Sequence, residues 1–225
     1  MAEQDVLAET HWEKAAKTRM GKYLTKIETQ FIQKTLNPES LNTVLDVGAE
    51  AGRFSILPKT SNAETVSIDI DSYGLKRLKL KTKNINVIKA DARKTPLKDE
   101  TFDVIFMIEV LDYIPELDEA FAECHRTLKP NASLIVSFGN KSSLKAKLRQ
   151  LGGKSYQHSY RNVMRALKQA GFSVEEKTGY NWLLFGRMSQ NRLIPALAKM
   201  ERAIGLRRVP SSSPWVIVHA VKKLA

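Results

Sequence analysis

The chain reads as an α/β protein, a parallel sheet covered by helices on both faces, and three observations predict it. Short apolar segments of strand character alternate with helical stretches between residues 43 and 138. Several of those strands end on Gly or Asp, where an open α/β sheet binds ligands. The length of 225 residues suits one such domain with an added cap, and 43% hydrophobic with 27% charged residues is ordinary globular composition.

In order along the chain, Trp12, Ala15, Ala16, Met20, Tyr23, Leu24, Ile27, Phe31 and Ile32 recur at helical spacing. They predict one helix over residues 10–36, stopped by Asn37-Pro38. Thr43–Val47 is a first strand running into Gly48-Ala49-Glu50-Ala51-Gly52, and Arg53–Leu57 is expected to continue as a helix to Pro58. Thr65–Asp69 is a second strand, followed by a lysine-rich helix over Ser72–Lys81. Ile85–Ala90, closing on Asp91, and Phe102–Ile108 are the third and fourth strands. A helix over Leu117–Leu128 leads through the turn signal Lys129-Pro130-Asn131 to a strand over Ser133–Phe138.

Past Gly139 a helix is expected over Ser159–Ala170, ended by Gly171, with strands over Phe172–Tyr180 and Trp215–Lys223. Between those strands, residues 181–210 are too long for a hairpin turn. There Leu193, Ile194, Leu197, Met200 and Ile204 form a helical stripe flanked by Arg192, Lys199, Arg202, Arg207 and Arg208. The organisation expected is a helical lid over 1–40, a core over 41–180 and 211–225, and a basic amphipathic cap over 181–210.

Charge is divided unevenly. Residues 1–140 hold 19 Lys and Arg against 21 Asp and Glu, whereas residues 141–225 hold 17 against 3. A neutral body with a basic end points to an anionic partner, whether a phosphorylated substrate, an anionic membrane surface or nucleic acid. The lone cysteine, Cys124, excludes an internal disulfide framework, and the four scattered histidines show no metal-ligand spacing, so no metal is expected. The opening MAEQDVLAETHWEK lacks the pattern of a signal peptide, and no apolar run reaches the roughly 18 residues of a membrane span. A cytoplasmic location follows as the expectation, with Trp182–Phe185 and the basic cap suited to peripheral contact with an anionic membrane.

The strand-to-glycine segment presents backbone N–H groups at its tip and permits close approach of a ligand. Asp69, at the end of the next strand, can accept hydrogen bonds from both ribose hydroxyls of a nucleoside, and Asp91 can hold an adenine amino group.

VLDVGAEAGRFS, VSIDID, KADARKTPLKDETFDVIFMIEVLDYI and ECHRTLKPNASLIVS together resemble the successive motifs of class I S-adenosylmethionine-dependent methyltransferases, close to their quinone-biosynthesis-like branch. The resemblance covers roughly residues 41–139 and implies a Rossmann-like sheet of order 3-2-1-4-5-7-6 with the last strand antiparallel. It implies S-adenosyl-L-methionine as cofactor, with Asp46 and Gly48 beside its methionine end and Gly52 where helix packs on strand. Asp69 would take the ribose, Ile70 the adenine face, Asp91 and Ala92 the adenine border, while Ile108 and Glu109 would face the sulfonium methyl. The family writes the turn G-x-G-x-G, and this chain places Glu50 at the middle glycine, where its carboxylate either crowds the cofactor or pairs with its ammonium group.

In-line transfer mainly requires positioning of the acceptor, and an oxygen or acidic-carbon acceptor also calls for a base. Glu109 and His158 are the candidate bases, with His11 behind them, and Trp12, Arg19, Tyr23 and Tyr113 are candidates to close over or line the cleft. No N-P-P-Y-type tetrapeptide follows the fourth strand, where IEVLDY stands instead. The expected function is methyl transfer to oxygen or carbon of a small-molecule or lipid-linked acceptor. One alternative is an RNA or protein methyltransferase using the basic end, although no RNA-binding module or stacking aromatic array is visible. Another is a non-catalytic partner protein on the same fold, prompted by Glu50.

Overall fold

The computed structural model describes residues 7–36, 41–57, 63–150 and 157–223. Seven strands form one sheet in the order β3-β2-β1-β4-β5-β7-β6. They are β1 (Thr43–Val47), β2 (Glu64–Asp69), β3 (Ile85–Lys89), β4 (Phe102–Ile108), β5 (Leu128–Gly139), β6 (Phe172–Tyr180) and β7 (Trp215–Lys222). β1 to β5 pair in parallel, and β7 runs antiparallel to both β5 and β6. That is the order and the antiparallel strand the motifs imply.

The central strands are buried on both sides, which their unbroken apolar runs require of a parallel sheet. Two cores result. One holds Leu45, Ile105, Phe121, Leu134, Val163 and Leu167, under the helices α4 (Leu117–Thr127) and α6 (Tyr160–Gln169). The other holds Val44, Phe106, Ile135 and Ile217 beneath α2 (Arg19–Thr35), α5 (Leu144–Gln150) and α7 (Ile194–Ala203). The remaining helices are α1 (His11–Lys17) and α3 (Ser72–Lys81). No helix is long and apolar enough to cross a membrane among the described residues.

Four local expectations change. The helix expected over 10–36 is broken at Thr18, whose extended backbone ends α1 and begins α2. Its hydroxyl accepts from Gly21 N–H and lies 2.8 Å from the carbonyl of Ala15. The apolar spacing continues across the break and hides it; Gly21 marks it, since a Cβ there would strike the carbonyl of Ala15. Asn37-Pro38, the expected stop, lies outside the described residues, as does Pro58. Arg53–Leu57 forms turns rather than a helix.

Lys129-Pro130-Asn131 lies inside β5 instead of preceding it, with an irregularity in the β4–β5 register and left-handed Asn131 absorbing the turn signal. The stripe expected over 193–204 divides: Ile194 packs on the core with Leu197 against it, while Leu193, Met200 and Ile204 face outward.

Candidate functional site

The C-terminal ends of β1, β2, β3 and β4 open into a cleft of about 1040 Å³. Asp46, Gly48, Glu50, Asp69, Ile70, Asp91, Ala92, Ile108 and Glu109 all line it, with His11, Trp12 and Tyr113. Gly52 does not. It adopts φ +83, and its missing side chain leaves room for Leu78 of α3, which a Cβ would meet at 2.3 Å. His158 is buried away from the cleft, its Nε2 at 2.7 Å from the carbonyl of Ile114. Arg19 and Tyr23 also lie outside the lining, and Tyr23 donates instead to Glu201 at 2.5 Å.

The glycine-bearing turn is shaped by left-handed residues at Gly48, Glu50 and Gly52. Glu50 is the costly one, since a side chain at positive φ is strained. The turn is pinned regardless: Glu50 N–H donates to Asp69 Oδ2 at 2.8 Å, and Ala51 N–H donates to Glu50 Oε2 at 2.6 Å. Gly74 lets α3 pass, as a Cβ there would sit 2.9 Å from the Cα of Glu50. The Glu50 carboxylate therefore folds back over its own loop and leaves the cleft open. Asp69 accepts Asp71 N–H on its other oxygen at 2.8 Å, which fixes the carboxylate at the mouth with lone pairs to spare.

Asp46 is buried, and its Oδ2 accepts from Ser55 Oγ at 2.5 Å. Burial pushes its pKa up to about 7, with Ser55 and Arg53 working against that and Asp69 adding to it. Asp91 is held by both edges of Arg93, at 3.0 and 2.6 Å, and that guanidinium keeps its pKa below the usual carboxylate range.

The far side of the cleft has a charge network that the sequence motifs did not announce. Glu109, left-handed at φ 63, donates its N–H to Ser137 Oγ, and its carboxylate pairs with Arg53 at 2.7 Å and with Arg187. Arg53 also reaches the fully buried Glu28 at 3.5 Å, which accepts from Tyr180 at 2.7 Å. Arg187 comes from the 181–210 segment and lies over the rings of Trp12 and Trp215. Burial, then the neighbouring Arg53, draws its pKa down to about 10, with Glu28 opposing. Two guanidinium groups thus hold Glu109, so it organises this wall rather than standing free beside a substrate. Sequence placed Glu109 at this wall but could not announce its two guanidinium partners, which come from distant parts of the chain.

Ion pairs occupy the flanks of the lining. Glu13 pairs with Arg77 and Lys81, Asp91 beyond β3 with Arg93, and Glu109 beyond β4 with Arg53 and Arg187. Among the described residues Asp46, Glu50, Asp69 and Asp71 make no ion pair, so the part beside β1 and β2 is acid-rich and suited to a cation. Among the described residues no group of His, Cys, Asp and Glu is placed to hold a metal ion.

Residues 45–136 match the methyltransferase-domain family. Over that span the chain is similar to the S-adenosylmethionine-dependent methyltransferases. It is 28% identical over 188 residues to a malonyl-[acyl-carrier protein] O-methyltransferase from Methylococcus capsulatus, covering 76% of this chain and 64% of that one. It is also 28% identical over 160 residues to a ubiquinone biosynthesis O-methyltransferase from Actinobacillus pleuropneumoniae, covering 67% and 68%. A solved S-adenosylmethionine-dependent methyltransferase from Mesorhizobium loti superposes with a TM-score of 0.64 at 16% identity, covering 85% of this chain and 96% of that one. The chain spans a quarter to two-thirds of the length of the curated relatives it matches. The family uses S-adenosylmethionine as methyl donor, and the acid-rich part of the cleft fits that cationic nucleoside.

Proposed function

We propose that this protein transfers a methyl group from S-adenosylmethionine to oxygen or carbon of a small-molecule or lipid-linked acceptor. The observation that carries the reading is the convergence on one part of the cleft of Asp46, Glu50 and Asp69, which make no ion pair among the described residues. The bound donor supplies an electrophilic methyl on a positively charged sulfur. Asp69 would hold the ribose hydroxyls, Ile70 and Ala92 would border the base, and Asp46, Gly48 and Glu50 would surround the methionine end.

Ile108 and Glu109 lie at the end of β4, beside the acid-rich part. There Glu109, as a positioning residue, would aim Arg53 and Arg187 at the acceptor, and Trp12 would screen it from water. An acceptor that is acidic or already anionic suits two guanidinium groups better than an amine does. The two O-methyltransferase relatives support oxygen as the methylated atom and an acyl or quinone-like acceptor. The closed stance of Glu50 supports an open binding site over the partner-protein alternative.

Calorimetric titration with S-adenosylmethionine tests the reading. Asp69→Ala is expected to weaken binding by about 1–3 kcal/mol, the worth of hydrogen bonds to a charged group. An unchanged affinity in that variant, or no binding by the wild type, overturns it.

A further inference from the structure

α2, α5 and α7 lie together over one face of the sheet, and α7 fills its place in that core with Ile194 and Leu197. A helix on a globular surface ordinarily shows one apolar stripe. On α7 and its flanks that stripe is wider than the core covers, and along its uncovered edge Leu193, Met200 and Ile204 are 61%, 52% and 62% exposed. Leu184 and, on α5, Leu144 and Leu148 are exposed as well. Lys145 ties α5 to the start of the 181–210 segment by donating to the carbonyl of Asn181 at 2.9 Å.

The charge around these side chains has one sign. Arg192, Lys199, Arg202 and Arg208 are exposed. The only acid within residues 181–210, Glu201, is buried against Tyr23, Trp182 N–H and Arg207. The only acid of α2, Glu28, is buried as well, and α5 has none. Among the described residues the exposed large apolar side chains on this face are aliphatic, and Trp182 and Phe185 are half-buried, a poor surface for stacking nucleobases.

We propose that this face docks on an anionic lipid bilayer, with α7 lying in the interface, its aliphatic stripe among the acyl chains and its cations on the headgroups. Aliphatic insertion combined with a cationic rim is the chemistry of an interfacial helix, and polybasic attraction alone would leave Leu193, Met200 and Ile204 unexplained. The face also adjoins the cleft. Arg187 and Lys22 line the cleft, and Met188, next in sequence, is 49% exposed, so a lipid-borne acceptor would enter between them. That route rests on the methyl-transfer reading; the docking itself does not.

Flotation with vesicles decides it. The purified protein is expected to float with phosphatidylcholine vesicles containing about a third phosphatidylglycerol, to ignore pure phosphatidylcholine, and to detach partly near ~0.5 M salt. Joint replacement Leu193→Ser, Met200→Ser and Ile204→Ser, and separately Arg192→Glu, Lys199→Glu and Arg202→Glu, should each lower partitioning on the order of tenfold or more. All of these side chains are exposed, so circular dichroism and S-adenosylmethionine affinity should match the wild type.

Absence of flotation with anionic vesicles, wild-type partitioning by both variants, or a single-stranded RNA bound in place of vesicles overturns the docking. Lost cofactor binding with intact flotation would instead overturn the methyl-transfer reading alone.

Discussion

Asp46 is the residue whose environment has the sharpest solution consequence. Its carboxyl is raised to about 7 from an ordinary value near 3.8, so the folded chain keeps a proton there that the unfolded chain gives up. Stability from this residue is therefore present at low pH and is lost as pH rises from about 4 through 7. A cation placed beside it favours the ionised form. Binding of S-adenosylmethionine is accordingly expected to tighten several-fold between about pH 6 and 7.5 and to release protons at the lower value, seen by calorimetry in buffers of different ionisation enthalpy. Asp46→Asn should flatten that dependence; an unaltered pH profile in the variant would place the proton elsewhere. The position of Asp46 before a glycine turn was legible from sequence, but its protonation was not, because it depends on Ser55 and on complete burial.

Among the elements, α1 shows how a helix too short to stand alone is held. Glu13 closes a capping box with Thr10 and pairs with Arg77 and Lys81 of α3, while Tyr73 donates to the carbonyl of Ala8 at 2.8 Å. Burial works to raise the Glu13 pKa, and Arg77, Lys81 and Thr10 N–H outweigh it, bringing it down to about 2. The anchor is therefore complete above about pH 4.5 and weakens as pH falls toward 2. Glu13→Gln should speed amide exchange over residues 11–17 roughly tenfold, about 1.4 kcal/mol of local opening, while the sheet amides stay protected. Uniform exchange in variant and wild type would mean that apolar packing alone holds α1. The strands and the β1 turn could be read from the sequence because period and punctuation encode them locally, whereas their order was implied only by the family resemblance. The break at Thr18, the division of the α7 stripe and the reach of Arg187 into the cleft could not, since each is decided by contacts between residues far apart in the chain.

For the molecule as a whole, the cleft ties the sheet ends, α1 and the 181–210 segment into one site. A ligand that bridges them stabilises the folded state by mass action. S-Adenosylmethionine at about a hundredfold its Kd adds about 2.7 kcal/mol, which for this length raises Tm by roughly 5–10 °C. Differential scanning calorimetry that finds no rise would separate the fold from the binding reading, since one scaffold serves many functions. The uneven charge visible in the sequence belongs to the same scale: part of its basic share lies exposed around α7, and acids without an ion pair among the described residues face the cleft.

Those inward acids have a consequence for turnover. In the methyl-transfer reading proposed above, a donor that arrives with a positive sulfur departs without it, so Asp46, Glu50 and Asp69 would attract the incoming molecule more strongly than the spent one. The same carboxylates that gather the donor would thereby ease the exit of what remains after the methyl has gone.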